Sequence, residues 1–185
     1  MASWLLAWWS AGCGLTEDQL IEKEISEGRF VLQSEAPSQA LDVPAAFAYA
    51  NGSTVHLADN RFDSFEIEGL VREAVARRLA TMQLLPTATG EPDYLVGYLV
   101  TANEGAMVAE AMSTIGMPAP RGEETRQLPR GSLVLAISAP GTNHLIWKGS
   151  IEGAIDPESG PEQRQERVDL AVAALLRELA DSAGA

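Results

Sequence analysis

Cysteine occurs once, at Cys13, so no disulfide can form within the chain and the redox compartment is left open. Histidine occurs only at His56 and His144, and neither stands at metal-ligand spacing from another His, a Cys or paired carboxylates. Basic residues are scarce: 13 Lys and Arg face 26 Asp and Glu, for a formal charge of -13. That balance argues against a nucleic-acid partner, which needs a basic surface to meet phosphates. No run approaches the ~20 apolar residues of a membrane-spanning helix. Gly-rich phosphate loops and the Gly-x-Ser-x-Gly elbow are missing as well. The expectation is a chain that is not an enzyme, with no catalytic, cofactor-binding or metal-binding residues and no cofactor.

What is present is material for a core. The chain has 185 residues, 46% of them hydrophobic, enough for one domain with a buried interior. The clearest signal runs from Gly131 to Ile155. Ser132–Ser138 and His144–Ile155 are two β-rich runs, and Ala139-Pro140-Gly141-Thr142-Asn143 between them supplies the dihedrals of a hairpin turn. In the second run Leu145, Trp147, Ile151 and Ile155 share one parity, and Lys148, Ser150 and Glu152 the other. One face therefore reads dry and the other wet, as in an antiparallel sheet covered on a single side. Trp147 reads as a core anchor whose indole N–H needs a partner.

Two helices frame this hairpin. Ile67, Leu70, Val71, Ala74, Val75, Leu79 and Met82 recur at three- and four-residue steps, with Asp63 or Ser64 as cap and Pro86 as stop. Gly69 interrupts that helix and suggests close packing against the sheet. Arg77-Arg78 reads as solvated surface. Pro161 opens the second helix, whose stripe is Val168, Ala171, Val172, Leu175, Leu176 and Leu179. Strands are expected at 29–33, 47–49, 54–57 and 94–100. Asp93 and Asp156 read as turn or capping residues. Between Thr101 and Arg130 the pattern dissolves, so a mobile or partner-facing loop is expected there. Met107, Met112 and Met117 within it have no His or Cys beside them and read as gap fillers.

At the front, Trp4–Trp9 is a short apolar segment followed by Ser10-Ala11-Gly12-Cys13. Small residues just before a lone cysteine resemble the end of a bacterial lipoprotein signal peptide. No Lys or Arg precedes the apolar run, as in a leader shortened at its front. Residues 1–13 are thus expected to be a signal segment, Cys13 the lipidation site, 14–28 a tether and 29–181 a single domain.

The order of helix, apolar strand, long loop, hairpin and closing helix resembles the bacterial lipoprotein family called domain of unknown function 4136. The residues that carry the likeness are Ile67 to Leu84, Pro92-Asp93-Tyr94-Leu95-Val96, Gly131 to Leu135, Leu145-Ile146-Trp147-Lys148-Gly149 and Val168 to Leu179. The resemblance implies an envelope-associated lipoprotein and brings no catalytic residues. The expected fold is α+β: a mainly antiparallel sheet of four to five strands with two amphipathic helices packed on one face. The expected role is that of a non-catalytic periplasmic protein, held by lipid on Cys13 with the outer membrane favoured, that binds an envelope protein partner. The alternative is a soluble small-ligand binding protein that uses the open sheet face or the 101–130 loop.

Overall fold

The computed structural model describes residues 15–57, 63–102, 130–142, 144–154, 156 and 158–183. Cys13, the signal segment 1–13, Met107, Met112, Met117 and nearly all of the 101–130 loop lie outside these residues. The elements in chain order are α1 (Glu17–Ser26), β1 (Phe30–Ser34), β2 (Ala45–Tyr49), β3 (Thr54–Leu57), α2 (Ser64–Thr81), β4 (Leu84–Pro86), β5 (Tyr94–Ala102), β6 (Arg130–Ser138), β7 (Leu145–Ala154) and α3 (Pro161–Ala183).

The sheet corrects the expected fold class. It has seven strands in the order β1-β7-β6-β5-β2-β4, with β3 also on β5, and it is mixed. β1–β7, β5–β6 and β6–β7 are antiparallel, whereas β2–β4, β2–β5 and β3–β5 are parallel. Three helices, not two, are present among the described residues. The parallel half has a topological cause. From β3 the chain passes through α2 and returns as β4 beside β2, and a helical crossover delivers a strand in the same direction. β2 and β3 share one edge of β5, β2 pairing with Tyr94–Val96 and β3 with Leu99–Ala102. The break between them is a turn at Ala50–Ser53, where Gly52 takes φ +97, a conformation that side chains resist. Pro86 ends the short edge strand β4, where a missing N–H costs no ladder bond within the sheet.

The core lies between the sheet and the helices. Val71, Val75 and Leu79 of α2 and Val172, Leu175 and Leu179 of α3 are buried with Leu133, Leu135, Ile137, Trp147 and Ile151 of the hairpin. Each large aliphatic side chain hidden this way stabilises the fold by about 1.5–3 kcal/mol. Asp63 caps α2 by accepting from the N–H groups of Phe65 and Glu66. Gly69 does not mark close packing: a Cβ there would meet nothing within 4 Å. α1 falls within the stretch read as a tether, is opened by a Thr16–Gln19 capping box, and places Ile21 fully inside the core.

Two details of the hairpin differ from simple alternation. Ile137 pairs with Trp147 but Ser138 with Leu145, so β7 carries one extra residue. Ile146 is thereby buried, while Leu145, expected inside, is 36% exposed. The second face is not wet either, since Lys148 and Ser150 are buried. β7 lies between β1 and β6, and the Lys148 ammonium meets the Glu35 carboxylate at 3.1 Å.

Candidate functional site

The most site-like feature is a half-open cavity of about 140 Å³ at one end of the sheet, flanked by the N-terminal halves of α2 and α3. Its origin is local. Gly131 and Gly153 pair directly across β6 and β7 and both line this end of the hollow without side chains of their own. Gly153 also lets the Phe30 ring lie against the strand, since a Cβ there would stand 3.0 Å from Phe30 Cδ1. Val100, Leu133 and Ile151 line the cavity from the sheet, Ile67 and Val71 from α2, and Val168 and Ala171 from α3.

Polar groups gather at its rim, where β7 hands over to α3. Arg164 donates from Nε to Glu66 Oε1 at 3.2 Å and from Nη1 to the Ser159 carbonyl at 2.9 Å, which ties α3 to α2. Arg167 donates to the Ala154 carbonyl at 3.1 Å and to Glu24 Oε2 at 2.9 Å, with its guanidinium 4.7 Å from the centre of the Phe30 ring. Glu24 also pairs with Arg29 at 2.6 Å. Burial pushes the Glu24 carboxyl up, but hydrogen bonds and charge from Arg29 and Arg167 outweigh it and hold the carboxyl below its ordinary range. Asp156 completes the rim; its side chain accepts from the Glu158 N–H and its carbonyl from Ser159.

A second polar cluster joins the sheet to α2. Tyr49 donates its hydroxyl to the Arg72 carbonyl at 2.6 Å and lies under the Arg72 guanidinium at 4.3 Å. Tyr98 donates to Glu68 Oε1 at 2.7 Å and stacks edge-on against Tyr49. Burial, offset in part by Arg72, pushes the Tyr49 phenol to about 12. This cluster fastens a helix to the sheet.

The residues singled out in the sequence scatter. His144 is exposed at the hairpin turn, and His56 lies in β3 opposite Thr101. Asp93 is spent on backbone, accepting from the Ala46 N–H at 2.8 Å. Arg77 pairs with Glu73 and Asp169, and Arg78 with Glu17. Trp147 is 1% exposed, and its indole N–H, expected to find a partner, has none among the described residues. No group of three His, Cys, Asp or Glu among the described residues could hold a metal ion, and no described helix is long and apolar enough to cross a membrane. The cavity was missed because its lining comes from seven separate elements. The one sequence signal was the glycine pair, Gly131 and Gly153, one on each arm of the hairpin.

No curated protein matches the chain in sequence. Among solved structures it is similar to the PelC dodecamer from Paraburkholderia phytofirmans, with 9% identity, a TM-score of 0.47, and coverage of 78% of this chain and 98% of that one. It is also similar to a PDZ domain protein from Parabacteroides distasonis, with 13% identity, a TM-score of 0.45, and coverage of 85% of this chain and 40% of that one. The family model described as "Domain of unknown function (DUF4136)" matches residues 39–179, a span from just after β1 to the last turns of α3, and the chain belongs to that family.

Proposed function

We propose that this protein is a non-catalytic binding module displayed at the periplasmic face of the cell envelope by lipid on Cys13. The observation that carries the binding role is the cavity between α2, α3 and the Gly131–Gly153 end of the sheet, apolar within and ringed by paired charges. Ligand sites have this make-up, an apolar hollow with few polar groups at its edge. Support for the anchor comes from the sequence alone: Ser10-Ala11-Gly12 before the only cysteine, and an apolar segment before that. Acyl chains on Cys13 would hold the domain on a membrane surface without a span.

The anchor is tested by expressing the gene with its leader in cells fed labelled palmitate. Incorporation that is lost in Cys13→Ser and blocked by globomycin is expected. Labelling that persists in the variant, or none in the native protein, refutes the anchor. A pull-down from detergent-solubilised envelope then tests for a protein partner: specific retention is expected, and retention no greater than by the denatured domain contradicts it.

A further inference from the structure

We infer that the cavity takes an uncharged apolar group, a six-membered ring or the end of a short alkyl chain, and excludes anions. This rests on the reading of the cavity as the binding site. Volume sets the size: about 140 Å³ is close to the ~150 Å³ apolar cavity known to hold benzene. Chemistry of the walls sets the class: Val71, Val100, Leu133, Ile151 and Val168 offer no hydrogen bond, and the polar residues of the sheet wall, Thr101 and Ser132, carry no charge.

The rim decides the charge. Two guanidiniums beside an apolar hollow would suggest a carboxylate or phosphate head, but both are already answered. Arg164 is held by Glu66 through two nitrogens, Nε and Nη2. Arg167 is held by Glu24, and Arg29, which shares Glu24, also meets Glu27 at 2.6 Å. Asp156 adds an exposed carboxylate at the edge. An arriving anion would have to displace Glu66 or Glu24, on a chain whose net charge is already -13. An anion carried unpaired into the apolar hollow carries a heavy penalty. A neutral apolar group meets none of these obstacles.

The test uses the protein with labelled Val, Leu and Ile methyl groups, titrated by NMR with toluene, 1-hexanol and hexanoate at neutral pH. Toluene and hexanol should shift the methyls of Val71, Val100, Leu133 and Ile151 saturably, with hexanoate binding weaker by about tenfold or more. In Glu66→Gln, which frees Arg164, hexanoate should gain while toluene is unchanged. Hexanoate binding as well as hexanol to the native protein would overturn the inference and leave the cavity as the binding site. No methyl shifts with any probe would overturn both.

Discussion

Gly149 lies directly beneath the indole of Trp147: a Cβ at Gly149 would stand 2.7 Å from Trp147 Cζ2 and 3.1 Å from Leu175 Cδ2. Trp147 and Leu175 are both buried, so neither can swing aside into solvent. Gly149→Ala should therefore destabilise the fold by about 1–3 kcal/mol, the usual cost of overpacking. Gly69 is the opposite case, an exposed glycine inside α2 with nothing near its absent Cβ. Gly69→Ala should stabilise by about 0.5–1 kcal/mol. Thermal unfolding of the two variants, moving Tm in opposite directions, checks both; equal shifts would contradict the packing.

The bulge in the hairpin gives adjacent residues unequal weight. Ile146 is 2% exposed and Leu145 36%, so Ile146→Ala should cost about 2–5 kcal/mol. Leu145→Ala should cost much less, about 1 kcal/mol or under. Urea denaturation of the pair decides the register, and a larger loss at Leu145 would restore plain alternation.

How far the sequence carried the fold follows from which patterns are local. The stripes of α2 and α3 and the long runs of β5, β6 and β7 could be read because a period of 3.6, or an unbroken apolar run, states its own partner face. Ala45–Tyr49 and Thr54–Leu57 carry no such instruction. Their parallel pairing to β5 depends on where α2 sends the chain, so a mixed sheet was read as mainly antiparallel. Ile146 and Leu145 were exchanged because a bulge breaks the period of two on which the reading relied. The cavity was illegible for a deeper reason. Its shape is set by register, which pairs Gly131 with Gly153, and by packing, which brings Val71 and Val168 over them.

Glu24 makes stability depend on acid. Its carboxyl sits below the ordinary range in the folded state, so its contribution is complete above that range and is lost as pH falls from there through the lowered folded value. Glu24→Gln should be less stable by about 2 kcal/mol at neutral pH, and the gap to the native protein should close below the ordinary carboxylate range. Denaturant midpoints across an acid series test this. A constant gap would show that packing, not charge, explains the loss.

Tyr49 gives the alkaline counterpart. Its phenol is raised from 10 to about 12, chiefly by burial. The stabilisation linked to it is complete below the ordinary value and disappears as pH rises from 10 towards about 12. Tyr49→Phe should flatten that part of the stability profile, and phenolate absorbance should show Tyr49 and Tyr98 both ionising late. Early ionisation of every tyrosine would contradict the buried placement.

The cavity itself is open to direct inspection. In a crystal of this protein pressurised with xenon, density for the gas is expected between Val71, Val100, Leu133 and Val168, beside the Gly131–Gly153 pair. Side chains collapsed into that space, with no xenon bound there, would contradict the assignment of this end of the sheet as the binding site.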